Sequence, residues 1–228
     1  MIDTVKSISC LISAIFCDIY NAIHYDGSTP KKWQLVYVNP HVISLDAQSG
    51  FRKEFGVIPK KHPQTIFGGD WDLMALEVEA QGPGYGLEEV AKRVVDLGLG
   101  WQEAGEVERI TKSREMRGSK QRPLAYDIRK CKEFDVLTES VITHERLFSR
   151  REIDPLNYRE KGGIGVLIGR DGKVLKGNDG HHRLAIAKAL GLRAVPASIQ
   201  CVHKEAVDVG IWTEHILSFT GIGNRKGV

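Results

Sequence analysis

The stretch Gly177-Asn178-Asp179-Gly180-His181-His182-Arg183, running directly into Leu184-Ala185-Ile186-Ala187-Lys188-Ala189-Leu190-Gly191, decides how this chain is read. Upstream, Ile164–Ile168 and Val174–Lys176 have strand composition, and Gly169-Arg170-Asp171-Gly172 between them has turn composition, which predicts a hairpin. Downstream, Leu184, Ala187 and Leu190 recur at helical spacing, and Gly191 stands where a helix C-terminus is usually closed. Two histidines and an arginine therefore fall at a strand-to-helix junction. Such a junction offers free backbone N–H groups and the positive end of a helix dipole, and both favour an anion. Gly180 permits a sharp turn and the close approach of a ligand. Asp179 can cap the helix, or hold a cation or a donor. The bland alternative is an Asp-Gly turn with a helix cap, but a cap needs fewer polar side chains than this stretch supplies. The expectation is a phosphate cradle.

The chain has 228 residues, 42% apolar and 27% charged, which fits one elaborated domain, or one domain with an accessory piece, and a substantial core. A net charge of +3 is too mild to argue for nucleic acid by itself. Cys10, Cys17, Cys131 and Cys201 form no C-x-x-C, so neither a zinc site nor a disulfide framework is expected, and a reduced, cytoplasmic setting fits best. Val5, Ile8, Leu11, Ile12, Ile15, Phe16, Ile19, Tyr20 and Ile23 share one helical face. Ser13 interrupts that segment and Asp18 ends its longest apolar part, so it is too short to span a bilayer. Packing on the core or on a partner subunit is favoured over membrane-surface binding, which leaves room for a homo-oligomer.

Trp33–Ile43 reads as the first strand with its exit turn, and residues 51–85 as loop-rich. Within those loops lies Phe67-Gly68-Gly69-Asp70-Trp71-Asp72. Asp70 and Asp72 make either a magnesium or general-base loop for phosphoryl transfer, or an Asp-capped turn around a buried tryptophan. Two helices are expected over Leu87–Leu97 and Trp101–Ile110, hinged at Gly98-Leu99-Gly100. From Arg109 to Glu133 there are nine Lys/Arg against three acids. A solvated face is favoured there over an anionic substrate or nucleic acid, and Tyr126 alone cannot support strand stacking. Further elements are a helix over Phe134–Ile142, a strand over Val195–Val202 and a helix over Val209–Phe219. His203 either faces the cleft or ends its strand exposed. Gly162-Gly163-Ile164-Gly165 precedes a strand, the reverse of the dinucleotide fingerprint. The fold class is α+β, a small mixed sheet with packed helices.

Asp179-Gly180-His181-His182-Arg183, with Leu190-Gly191-Leu192 and Val195-Pro196-Ala197 after it, resembles the signature of the ParB/sulfiredoxin-like superfamily. Leu137-Thr138-Glu139-Ser140-Val141 is similar to the helix before that family's hairpin. Val36-Tyr37-Val38-Asn39-Pro40-His41-Val42-Ile43 is similar to its first strand and Asn-Pro turn. Members include partition proteins that bind CTP and DNA, sulfiredoxins that use ATP, and free serine kinases. The Asp-Gly-His-His-Arg form resembles the kinase branch most. It lacks the Gly-Glu-Arg-Arg of partition proteins and, with Gly at 180, the reactive Cys of sulfiredoxins. Among uncharacterised proteins, a subgroup with a Gly-Asp-Trp-Asp element, a basic middle segment and a Gly-His-Arg-Leu-Ala-Ile-Ala helix is more similar still.

The resemblance divides the chain into an N-terminal helix and linker (1–30), a first strand (31–50), an insertion carrying the basic segment (51–130), a core (131–205) and a tail (206–228). It implies a nucleotide-dependent phosphotransferase acting on a small hydroxyl-bearing substrate such as an amino acid or a sugar. ATP or ADP, or CTP, would lay its phosphates over Asn178, Gly180, His181, His182 and Arg183, with Mg2+ on Asp179. The catalytic set would be Asp70, Asp72, Asp179 and His182, with Asp70 or Asp72 replacing the Glu that the kinases carry soon after their first strand. The alternative is a ParB-like nucleotide- or DNA-binding module without small-molecule catalysis. A nuclease is a third reading, for which no two-metal spacing is evident.

Overall fold

The hairpin around Gly169–Gly172 is the middle of a mixed sheet in the computed structural model, which describes residues 2–25, 28–78 and 85–217, the first nine by backbone alone. Strands β5 (Ile164–Ile168) and β6 (Val174–Lys176) pair antiparallel, with Val166 opposite Lys176. On the other side β5 runs parallel to β7 (Val195–His203). Both β5 and β7 are buried along their whole length, which is why β5 reads as a continuous apolar run, while β7 also buries Ser198, Gln200 and His203. β1 (Leu35–Val38) joins β7 antiparallel and is edged by β8 (Ile216–Leu217). β2 (Leu45–Asp46) meets β6 in parallel at Asp46 and Lys176, and β4 (Leu76–Glu77) closes that edge. β3 (Ile66–Phe67) lies beside the C-terminal end of β7.

Alternation along the strands separates two apolar clusters. Val166, Ile168 and Ile199 face the larger one, filled by α3 (Leu87–Leu97) and α7 (His181–Ala189) through Leu87, Val90, Leu184 and Ile186. Leu167, Leu175 and Cys201 face the other, filled by Phe51 of α2 (Gln48–Phe55), by Phe67 and by Trp71. The remaining helices are α1 (Ile2–His24), α4 (Glu106–Met116), α5 (Leu124–His144), α6 (Arg150–Ile153) and α8 (Lys204–Asp208). Among the described residues no helix is long and apolar enough to cross a membrane.

Several elements depart from expectation. The first strand is four residues and gives way to a short 3-10 turn at Pro40–Val42. The supposedly loop-rich region takes in most of α2, and its residues 79–84 lie outside the described residues. The second insertion helix begins at Glu106 rather than Trp101, because Trp101 is anchored in a turn. Its backbone N–H donates to Asp135 Oδ1 at 2.8 Å and its indole N–H to Thr138 Oγ1 at 2.9 Å. The basic segment is mostly helical. It forms α4 and the first turns of α5, which starts ten residues before Phe134 and directly after Pro123. The expected helix over Val209–Phe219 is instead a 3-10 turn at Ile211–Thr213 and β8, with residues 218–219 outside the described residues.

Between Val166 and Leu167 the partner on β7 jumps from Ile199 to Cys201, so Gln200 is a bulged residue. The turn after β6 places Asp179 and Gly180 both in the left-handed region, at φ 67° and 75°. A Cβ on Gly180 would lie 2.5 Å from the Gly163 carbonyl oxygen and 2.6 Å from Ile164 Cα, so the entry of β5 leaves no room for a side chain. Gly180→Ala is therefore expected to lose more than about 2 kcal/mol of stability in urea titration. Unchanged stability would show that this close approach is not required.

Candidate functional site

The turn at 177–180 is fastened from behind. Lys176, with 0% exposure, donates from Nζ to the Gly177 carbonyl at 2.7 Å and also to the Asp179 carbonyl. Burial pulls this lysine down to about 8, against the opposing pull of Asp46 and Asp179. The bulged Gln200 accepts from Asn178 N–H at 2.8 Å and donates to the Asn178 carbonyl at 3.0 Å. Gln48 donates to the Gly177 carbonyl at 2.8 Å and accepts from the Asn178 amide. In the first turn of an α-helix the N–H groups point back out of the helix end, away from the turns that follow. The helical series begins with Leu184 N–H donating to the Gly180 carbonyl at 2.9 Å, and no side chain caps the residues before it.

Facing these N–H groups is a cleft of about 310 Å³, with Gly180, His181 and His182 as one wall. The other wall comes from α4, α5 and the link between them and carries Arg109, Arg114, Arg117, Arg122 and Lys130. Its volume falls within the range of small-molecule sites. Arg114 forms a two-pronged bond with Asp127 at 2.6 and 2.7 Å, and Lys130 reaches Glu133 at 2.5 Å. Arg122 lies 4.8 Å over the Tyr126 ring. Arg117 has no carboxylate partner among the described residues; its Nε donates to the Ser113 carbonyl at 2.9 Å. Partial desolvation at the rim, then the charges of Arg109 and Arg114, push it below the ordinary arginine range. An anion entering the cleft would relieve that crowding of positive charge.

The two walls are locked together by Glu106, which has 0% exposure. Its carboxylate takes a two-pronged bond from Arg109 at 2.6 and 2.8 Å and faces His182 Nε2 at 2.6 Å. Burial opposes ionisation of Glu106, but the bonds from Arg109 and His182 outweigh it and hold the carboxyl below its usual value. His182 stacks on Phe134 at 3.7 Å, and burial keeps its imidazole below the usual histidine range despite Glu106.

The expected site residues thus separate. Successive helical positions diverge by about 100°, so His181, His182 and Arg183 cannot face one ligand together. Gly180, His181 and His182 line the cleft, but His182 is a bolt between helices, and its contribution to a ligand is its N–H. Arg183 does not line the cleft; it donates to the Phe148 carbonyl, and burial and then Arg150 push it down to about 10. Asn178 is buried behind the turn. Asp179 gives both carboxylate oxygens to Lys60 Nζ at 2.7 Å. No group of three His, Cys, Asp or Glu among the described residues is arranged to hold a metal ion.

Asp70 and Asp72 belong to another place altogether. Arg170, in the β5–β6 turn, bonds Asp70 at 2.8 Å and Asp72 at 2.9 Å. Burial would raise Asp72, but the Arg170 bonds, with help from His203, hold it low. His203 is buried and pairs with the Gly69 carbonyl at 2.8 Å. Gly180 abuts the beginning of β5 and Arg170 follows its end, so these carboxylates lie roughly 15–20 Å from the cleft at about 3.3 Å per strand residue. They cannot accept a proton there.

The acid beside His181 is Asp46, shortly after the first strand, with Oδ2 3.9 Å from His181 Nε2. Its parallel bridge to Lys176 puts it beside the turn, a pairing that no local pattern reveals. Comparison with known proteins found no match: no family model fits the chain, and no curated protein or solved structure matches it at a significant level.

His181 provides a pH test. Burial, then Lys176, lowers its imidazole to about 4 from an ordinary 6.5. The unfolded chain therefore binds a proton that the folded one refuses between pH 6.5 and 4, so stability must fall as pH drops through that window. His181→Gln is expected to flatten the stability–pH slope there, read by urea titration at several pH values. An unchanged slope would contradict the assignment.

Proposed function

We propose that the cleft between α7 and the α4–α5 pair binds the phosphates of a nucleotide, and that the protein is a nucleotide-dependent phosphotransferase acting on a small hydroxyl-bearing molecule such as an amino acid or a sugar. The supporting observation is that uncapped helix-terminal N–H groups and five cationic side chains, three of them paired with carboxylates, line one cleft. Backbone donors and guanidinium forks are the groups that neutralise transferring phosphoryl oxygens. The resemblance of Asp179–Arg183 to the kinase branch of the ParB/sulfiredoxin-like superfamily supports the same reading, with ATP or ADP preferred and CTP the alternative. Magnesium enters this proposal only as a counter-ion carried on the nucleotide. A cytoplasmic setting goes with it, where nucleotide is abundant and thiols such as buried Cys131 and Cys201 stay reduced.

In the transfer itself, the acceptor hydroxyl oxygen forms a bond to phosphorus as the bond to the departing nucleotide oxygen breaks. The hydroxyl proton passes to the His181 imidazole, which is neutral at pH 7, with Asp46 behind it. Such a weak base suffices because a loose transition state releases the proton late, and positioning and charge neutralisation do most of the work. An incoming phosphate also raises the basicity of the imidazole.

Thermal unfolding with ATP, ADP, CTP and pyrophosphate tests the reading. At a hundredfold excess over Kd, a rise of about 5–10 °C is expected for a chain of this length. Arg117→Ala should remove most of that rise while leaving the unliganded melting temperature within about 2 °C, since Arg117 is exposed at the cleft rim. No shift with any of the four would overturn the proposal. Salt-sensitive binding of duplex DNA without a nucleotide effect would favour the partition-like alternative instead.

A further inference from the structure

Helix α1 is attached to the body by its narrow, less greasy edge. Ala14, Cys17 and Asn21 are the buried positions. Cys17 Sγ lies 3.3 Å from Thr65 Oγ1, Asn21 donates to the Pro30 carbonyl at 3.4 Å, and Asp18 accepts from Lys32 N–H at 2.7 Å. Its broad apolar side is turned outward. Leu11, Ile12, Ile15, Phe16, Ile19, Tyr20 and Ile23 stand 45–73% exposed. A solitary globular chain would put that face inward and the small residues out.

The spacing of the outward residues fits a facing helix. Ile12, Ile15, Ile19 and Ala22 follow a 3-4-3 rhythm, and the sequence continues it backward through Ile8 and Val5. This is the a/d seam of a helix that packs against another helix. Leu11 before the seam and Phe16 and Ile23 after it widen the stripe, while the charged residues Asp3 and Lys6 fall outside it. With seven large side chains about half exposed, each copy offers roughly 700 Å², and two copies about 1,400 Å², inside the range of stable interfaces. Beside the seam, Phe16 and Tyr20 of α1 and Pro63 and Gln64 of the body border a groove of about 220 Å³, space for a side chain of the facing helix. An anionic membrane is the poorer occupant, because Lys6 is the single Lys or Arg in the helix.

We infer that α1 is an assembly helix, whose occupant is the α1 of a second copy of this chain. This inference does not depend on the nucleotide reading, since the seam shares no residue with the cleft. Sedimentation-velocity analysis of the full chain at about 20 μM is expected to give a mass at least twice the 25.4 kDa of one chain. Ile15→Glu, on the exposed seam, should reduce it to a single chain while the far-UV spectrum and melting temperature of the isolated chain stay native-like. Ile12→Glu is the second variant should the first fail to fold. A wild-type protein that sediments as a monomer would overturn the inference, as would assembly that persists in both variants. So would a monomer that instead co-sediments with phosphatidylcholine–phosphatidylglycerol vesicles.

Discussion

A single buried carboxylate, Glu106, holds the candidate site in shape. It sits where α4 crosses the first turn of α7, with Arg109 on one side and His182 on the other. A buried ion pair is a poor source of net stability, because desolvation cancels much of the attraction, but it does demand one geometry. Here that geometry fixes a helix bearing cations in front of a helix N-terminus. Without Glu106, Arg109 and His182 would lose the group that joins them, leaving the His182–Phe134 stack to hold the cationic wall against α7.

The second constraint is the turn itself. Two consecutive left-handed residues are unusual when one is Asp, and such a conformation survives only where its surroundings impose it. Lys176, Gln200 and Gln48 do so by capturing the carbonyls and the Asn178 groups of the turn. All three come from the sheet or its immediate edge: Lys176 ends β6, Gln200 is the bulge in β7, and Gln48 opens α2 after β2. The donors are thereby oriented before any ligand arrives, which lowers the reorganisation needed on binding.

Much of this was legible from residue order. The β5–β6 hairpin, the helix after Gly180, the limits of α3 and the strand through Val195–Val202 follow from period and turn chemistry, which are local. The cleft was not legible in the same way. The nine cations between residues 109 and 133 read as a solvated face because sequence gives their number and not their direction. The Arg114–Asp127 bonds join α4 to α5, and Glu106 and the Phe134–His182 stack turn part of that face toward α7. Conversely, the run His181-His182-Arg183 reads as one cluster although helical geometry sends the three side chains to different neighbours. Asp70 and Asp72 were attractive for their local pattern, yet the length of β5 removes them from the cleft. Asp46 has no local signal at all; its place is set by strand pairing across 130 residues.

The proposition beneath all of this is that the backbone donors of residues 180–182 face an anion across the cationic wall. Amide-resolved NMR during a pyrophosphate titration addresses it without assuming catalysis or the identity of the nucleotide. Saturable shifts concentrated at Gly180, His181 and His182, with smaller ones along α4 near Arg117, are the expected result. Shifts confined to other surfaces, or none at these three amides when pyrophosphate is in large excess, would contradict it.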